Sequence, residues 1–224
     1  MDGIDVIYLT AGFGIRANLG YPKQYAYIGG KPILVHGLET LNKIQTIKNF
    51  IIVAEDIAKV AGIVNPYNIS NFSIIDGGMT RQESVYKGLK KVTSENVLIA
   101  ESVRPFISTA FVENIINTKG KHVIPYARLN STPFTLSGNI LNRDEIVCVQ
   151  TPQKYLSREL RESHEFAVKQ NIENTTDDLD LMKRVGICSG YEYIEGPIEN
   201  IKITYPIDLK IAEAIYNYKN CIDE

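Results

Sequence analysis

Two basic residues lie on one glycine-bearing stretch near the start of the sequence, where Ala11-Gly12-Phe13-Gly14-Ile15-Arg16 is followed by Tyr21-Pro22-Lys23-Gln24-Tyr25. Small residues after a buried strand let backbone N–H groups approach a phosphate closely, and two fixed cations on the same loop suit a polyphosphate. Taken alone, the segment reads equally as a solvated charged pair on a surface loop. A dinucleotide fingerprint asks for a third glycine where Ala17 stands, and for an acid about 20 residues on, after a second strand. Glu39 sits near that distance but inside a helical pattern. A triphosphate P-loop asks for Gly-Lys-Ser/Thr, which is absent, so the glycines leave the ligand open. Gly77-Gly78 reads on its own as a turn after an apolar strand. Cys148, Cys188 and Cys221, like His36, His122 and His164, are scattered, with no zinc-ligand spacing and no bridged framework. His36, in a helix-like stretch, is expected to be packed and not catalytic.

The elements that must hold these residues alternate. Apolar, β-branched runs at 4–9, 50–54, 72–75 and 97–100 predict buried strands. Amphipathic stretches at 31–44, 57–64, 81–92 and 109–118 predict the helical crossovers between them. The result is an α/β fold with a mostly parallel sheet and helices on both faces. After a strand at 122–125 the pattern breaks: 126–143 is rich in Asn, Ser, Thr and Pro, and 145–149 looks like a returning strand. That predicts a hairpin arm leaving the sheet. Helices at 156–170, 177–185 and 209–218 and an edge-like strand at 191–195 complete the chain, which has no repeat or linker. A single domain over 1–224 is expected, with its arm at approximately 126–147.

With 44% hydrophobic and 22% charged residues the chain is ordinary globular material. Lys plus Arg number 24 against 26 acidic residues, so there is no basic excess to track nucleic acid. The longest apolar runs are strand-length, far short of the ~20 residues a membrane span needs. The Met-Asp-Gly-Ile-Asp start carries no basic, apolar leader, so a cytoplasmic location is expected.

Further motifs fall in order along the chain. After the first loop and Pro22-Lys23-Gln24-Tyr25 come Gly30-Lys31-Pro32-Ile33-Leu34 and Gly77-Gly78-Met79-Thr80-Arg81-Gln82-Glu83-Ser84-Val85. Then follow Ser102-Val103-Arg104-Pro105-Phe106-Ile107, Gln150-Thr151-Pro152-Gln153, Thr176-Asp177-Asp178, and Glu199-Asn200-Ile201-Lys202-Ile203-Thr204 with Asp208-Leu209. Over nearly its whole length the chain thereby resembles the CTP-dependent cytidylyltransferases of polyol phosphates, which act on 2-C-methyl-D-erythritol 4-phosphate or ribitol 5-phosphate.

The resemblance implies a Rossmann-like nucleotidyltransferase fold with a dimerisation arm, a homodimer, and Mg²⁺ bridging triphosphate oxygens. It implies transfer of CMP from CTP to a phosphorylated polyol with release of pyrophosphate. Ala11, Gly12 and Gly14 would wrap the triphosphate, while Gly78, Arg81 and Ser84 would hold the cytosine end. Arg16, Lys23 and Lys202 would stabilise the reacting phosphates. No general base is needed, because a phosphate monoester is already an anionic nucleophile near neutral pH. On the acceptor side the chain departs from the family pattern: Ala100-Glu101 stands where the family carries His-Asp, and Pro125-Tyr126-Ala127-Arg128-Leu129 stands where it carries Asp-Thr. Glu101 is expected to serve the metal and the acceptor hydroxyls, with Arg104, Arg143 and Thr151 also on the acceptor and Arg128 adding a cation nearby. Arg143 would reach the partner subunit's site from the arm.

The segment at 102–107 with Asn142-Arg143 looks closer to the ribitol branch, while Thr176-Asp177-Asp178 and Gly77-Gly78-x-x-Arg fit the methylerythritol branch equally. The leading expectation is a ribitol-5-phosphate-like acceptor for a surface polysaccharide. The alternatives are the methylerythritol enzyme of isoprenoid synthesis and a non-catalytic nucleotide-binding relative, the latter opposed by the retained Arg16, Lys23, Arg81 and Lys202. A nicotinamide-dependent oxidoreductase fails for want of the second-strand acid and of a Tyr-x-x-x-Lys or His constellation.

Overall fold

A computed structural model describes residues 3–12, 21–173 and 175–222. The chain runs β1 (Ile4–Leu9), a short hairpin β2 (Tyr27–Ile28) and β3 (Lys31–Pro32), α1 (Ile33–Asn42), β4 (Ile47–Ala54), α2 (Ile57–Val64), β5 (Phe72–Asp76), α3 (Arg81–Leu89), β6 (Asn96–Glu101) and α4 (Thr109–Asn117). It continues through β7 (His122–Arg128), β8 (Val147–Val149), β9 (Gln153–Leu156), α5 (Ser157–Lys169), α6 (Asp178–Arg184), β10 (Tyr191–Glu195) and α7 (Pro206–Ile222). The main sheet has the order β10-β7-β9-β6-β1-β4-β5, with β8 alongside β7. β5, β4, β1 and β6 are mutually parallel, as are β7 and β10.

Side-chain alternation along the central strands divides the core into two layers. Val6, Tyr8, Phe50, Ile52 and Leu98 point to one face and meet Leu34, Leu38, Val60, Val64, Val112 and Ile115 of α1, α2 and α4. Ile7, Ile51, Val53, Val97 and Ile99 point to the other and meet Val85, Leu89, Leu160 and Met182 of α3, α5 and α6. Both faces are covered, which is why these strands read as continuous apolar runs. The exception inside β1 is Asp5, fully buried, whose carboxylate accepts from Asn49 Nδ2 at 2.8 Å and from the Thr93 and Ser94 amides at 2.7 and 3.0 Å.

Two details, the connection into α1 and an added strand, differ from the sequence-based expectation. α1 does not follow the glycine loop directly: a 3-10 turn (Lys23–Tyr25) and the β2–β3 hairpin come first. His36 is half-buried and ties that hairpin to α1 through the Ile28 and Lys31 carbonyls at 3.0 and 3.3 Å. β9, which the periodicity does not predict, lies antiparallel between β6 and β7. The arm leaves from the end of β7 and returns as β8, with Phe134 bridged to Ile140 near its tip. No helix among the described residues is long and apolar enough to cross a membrane.

Candidate active site

The chain goes from β1 outward to β4 and β5, then returns to the other side of β1 for β6. Loops leaving β1 and β6 therefore diverge, and the crevice at the carboxyl ends of these strands is where open α/β sheets bind ligands. Ala11, Gly12, Lys23, Gln24, Arg81, Ser84, Glu101, Ser102 and Lys202 line one cavity of about 180 Å³ there. Residues brought together from five separate motifs, with Glu101, thus share one wall. Arg16 and Gly14 lie outside the described residues.

Each of these side chains has a local reason to be where it is. Gln24 Nε2 donates to the Thr10 and Gly12 carbonyls at 2.7 and 3.2 Å, so the turn that carries Lys23 is clamped to the exit of β1. Gly12 has a φ of 145°, a conformation that favours glycine. A Cβ on Gly77 would come within 2.6 Å of the Ala11 Cβ, so only glycine lets the loop after β5 close on the loop after β1. Thr80 caps α3 by accepting from the Glu83 amide at 3.0 Å, and Glu83 reaches back to the Met79 amide at 2.8 Å. These two bonds place Arg81 in the first helical turn. Ser84, one turn on, accepts the Gly78 N–H at 2.9 Å and keeps its own proton for another partner.

Glu101, at the end of β6, is the centre of charge. Lys202 Nζ lies 2.8 Å from Oε1, Arg81 Nε 3.5 Å from the same oxygen, Arg104 Nε 3.7 Å from Oε2, and the Thr151 hydroxyl donates to Oε2 at 3.4 Å. Burial would raise this carboxyl, but Lys202, then Arg81 and Arg104, overcome it and hold it at about 2. Lys202 is held in turn by its neighbour Asn200. That side chain is fully buried and donates to Gln150 Oε1 and the Thr151 carbonyl, while the Ile203 amide bonds the Val103 carbonyl.

Sequence reasoning did not find the far side of Arg81. Its Nη1 lies 2.8 Å from Asp178 Oδ2, and Asp178 Oδ1 lies 3.2 Å from His164 Nε2. Burial would raise the Asp178 carboxyl too, but the Arg81 charge and the His164 hydrogen bond bring it to about 2. Its neighbour Asp177, pushed up by burial, caps α6 through the Leu179 amide. Thr176-Asp177-Asp178 was visible as a motif, but its partner on α3 is almost 100 residues away in sequence, and only the fold joins them.

Two expectations on the acceptor side are corrected, those for Arg104 and Arg128. Arg104 does not line the cavity: it is buried, and its Nη1 donates to the Asn200 carbonyl at 2.6 Å. It braces the Lys202 segment. Arg128 is exposed and paired with Glu195 across the β7–β10 edge at 3.0 Å, so it adds no cation to the crevice of its own chain. Arg143 sits on the exposed arm, in a 3-10 turn (Arg143–Glu145), away from the cavity. Glu101, expected as a metal ligand, has Lys202 as its one short partner, with the Thr151 hydroxyl looser at 3.4 Å. No group of three or more metal-ligating side chains occurs among the described residues.

A family model described as 2-C-methyl-D-erythritol 4-phosphate cytidylyltransferase (IspD) matches residues 4–218. The chain is 37% identical over 224 residues to a Clostridium botulinum protein of that name, covering 94% of this chain and 96% of the relative. It is 33% identical over 231 residues to one from Geobacillus kaustophilus, with the same coverage. Its backbone superposes on the crystal structure of 4-diphosphocytidyl-2C-methyl-D-erythritol synthase from Anaerococcus prevotii with a TM-score of 0.85, at 28% identity and 96% coverage of each chain. With the match running from β1 into α7 and a cation-lined crevice at the switch point of the sheet, the chain belongs to the 2-C-methyl-D-erythritol 4-phosphate cytidylyltransferase family of CTP-dependent nucleotidyltransferases.

Proposed function

We propose that the crevice binds CTP and transfers its CMP to 2-C-methyl-D-erythritol 4-phosphate. The acceptor's phosphate oxygen forms a bond to the α-phosphorus, the bond from that phosphorus to the bridging oxygen breaks, and pyrophosphate leaves with the electron pair. The observation that carries the reading is the convergence of the glycine loop, Lys23, Arg81 and Lys202 on one cavity. In such a reaction there is little for a general base to do, and positioning plus charge stabilisation supply the rate.

The contacts support the following roles. Ala11 and Gly12 offer backbone to the triphosphate, together with Gly14 and Arg16 by resemblance. Lys23 and Lys202 stabilise charge on the transferred phosphoryl group. Gly78, Ser84 and Arg81 form the base end, where the Ser84 hydroxyl, already accepting from Gly78, turns its proton to a cytosine acceptor. Glu101 spaces the cations, and Thr151 beside it marks the acceptor end. Mg²⁺ enters as the counter-ion of the triphosphate and belongs to the substrate.

For the acceptor, the relatives weigh toward methylerythritol phosphate and away from the ribitol phosphate that the 102–107 segment suggested, since the Geobacillus and Clostridium proteins, 33% and 37% identical over 94% of this chain, carry the former name. Pyrophosphate release measured with CTP and each of the two acceptors tests this. Methylerythritol phosphate should be turned over with the higher kcat/KM, and preference for ribitol phosphate would restore the other branch.

The arm supports a homodimer. Phe134, Leu136 and Ile140 are 67%, 105% and 78% exposed on a segment with no core of its own, and Arg143 lies on the same segment. A second copy would cover these side chains and receive Arg143 at its acceptor end. Light scattering at micromolar concentration should give twice the chain mass, and a fully active monomer would refute the arrangement.

A further inference from the structure

Behind the crevice, between α3 and α5, lies a second and larger cleft of about 410 Å³, lined among others by Gln82, Tyr86, His164 and Ile172. His164 connects the two spaces. It projects from α5, a helix that contributes no residue to the lining of the crevice, and it is 1% exposed. From it a continuous line of contacts runs forward: His164 Nε2 to Asp178 Oδ1 at 3.2 Å, Asp178 Oδ2 to Arg81 Nη1 at 2.8 Å, and Arg81 Nε to Glu101 Oε1 at 3.5 Å.

The protonation along this line is fixed by chemistry. An ionised carboxylate only accepts hydrogen bonds, so the Nε2 that faces Asp178 must carry a proton, and the neutral imidazole suffices. The groups facing Asp178 are Arg81 from α3, His164 from α5, the adjacent Asp177 and Tyr155 of β9. Of these, His164 alone holds the second oxygen of the carboxylate. The ring itself is held by Tyr86, whose plane is 2° from parallel with centroids 5.9 Å apart. A buried carboxylate with one oxygen unsatisfied costs free energy and turns to find a donor, and a long arginine side chain turns with it.

We propose that His164 is a positioning residue for the nucleotide site: by donating from Nε2 to Asp178 it sets the orientation in which Arg81 presents to Glu101 and to the base end of the crevice. The inference rests on the cytidylyl-transfer reading, and it adds a control point on a helix outside the crevice.

The test reads CTP binding by calorimetry, so that no acceptor is needed, with melting temperature measured alongside. His164→Asn and His164→Gln both retain an amide donor, but only the longer glutamine reaches Asp178. Tyr86→Leu disturbs the stack while leaving the donor in place. His164→Asn should weaken CTP by about tenfold, the scale of one hydrogen bond to a charged group. His164→Gln should stay within about threefold of the parent and Tyr86→Leu within about twofold, on the same scale. Unchanged affinity in His164→Asn would overturn the proposal. So would losses of equal size in all three variants, which would mark a packing effect. Should the asparagine variant not fold, histidine side-chain NMR of the parent protein decides. A protected His164 Nε2–H that shifts on adding CTP, while His36 and His122 stay fixed, supports the role, and an unprotected or unmoved signal removes it. Parent protein that fails to bind CTP at all would refute the transfer reading itself, and this inference with it.

Discussion

Glu101 and Asp178 are both buried carboxylates held near 2, and both touch Arg81. They differ in what else they touch. Glu101 shares its charge with Lys202, whose side chain is 37% exposed and lines the crevice, whereas Asp178 shares its charge with His164, which is 1% exposed and lines the cleft between α3 and α5 instead. The same pairing of acid and guanidinium therefore serves two purposes. At the front, the acid keeps several cations close without letting them collapse together, and a polyanionic substrate can displace part of that pairing. At the rear, the acid has nothing to exchange with and acts only as an anchor. A buried ion pair is worth little as a source of stability, because desolvation offsets most of the attraction. Its value here is in orientation.

The largest expected effect is at the front. Lys202→Ala removes the most exposed of the described cations in the crevice, and turnover should fall on the order of a hundredfold or more, with some loss of melting temperature because buried Glu101 loses its nearest cation. Near-normal pyrophosphate release would mean that the front cluster is structural like the rear one. Glu101→Asp is the next step down. Withdrawing the carboxylate by one methylene, ~1.5 Å, parts it from Lys202 or Thr151, and misplacement of this size lowers turnover by about tenfold or more. CTP affinity, read by calorimetry, should change little.

Acid should break both clusters together. Glu101 and Asp178 have their carboxyls lowered from the ordinary 4.5 and 3.8 to about 2, so the stability they contribute is complete above those ordinary values and is lost as pH falls toward 2. The raised Asp177 carboxyl works in the opposite sense and offsets part of the loss. Melting temperature should therefore drop between pH 4.5 and 2, and Glu101→Gln should flatten the drop; an equally steep drop in that variant would remove Glu101 from the account. The smallest effect is expected at Arg128, an exposed ion pair with Glu195 outside the crevice. Arg128→Ala should leave the melting temperature nearly unchanged and alter turnover by less than about twofold, as checked by melting and by pyrophosphate release.

Much of the fold was legible because burial on both faces leaves its mark on composition: β1, β4 and β6 are apolar runs, and α2 begins and ends where the amphipathic pattern does. β9 was not legible, since Gln153-Lys154-Tyr155-Leu156 carries polar side chains into the interior. Lys154 Nζ is satisfied by the Ile116 and Thr118 carbonyls, and Gln153 Oε1 by the Tyr155 hydroxyl, partners that no local pattern announces. The site divides in the same way. Ala11, Gly12, Lys23, Arg81, Ser84, Glu101 and Lys202 were found as motif residues and line one cavity. Arg104 was in a motif too, yet its guanidinium is directed at the Asn200 carbonyl, a brace that depends on how the loop after β6 meets the segment before α7. His164 carried no motif at all.

By this reading the smaller crevice at the ends of β1 and β6 takes the nucleotide, although the cleft between α3 and α5 is larger. A crystal structure with Mg²⁺ and CTP tests it most directly. The triphosphate should lie between the glycine loop, Lys23 and Lys202, with cytosine against Gly78 and Ser84 and the larger cleft free of nucleotide. Cytosine stacked beside Tyr86 and His164 in the larger cleft, with the crevice unoccupied, would contradict it.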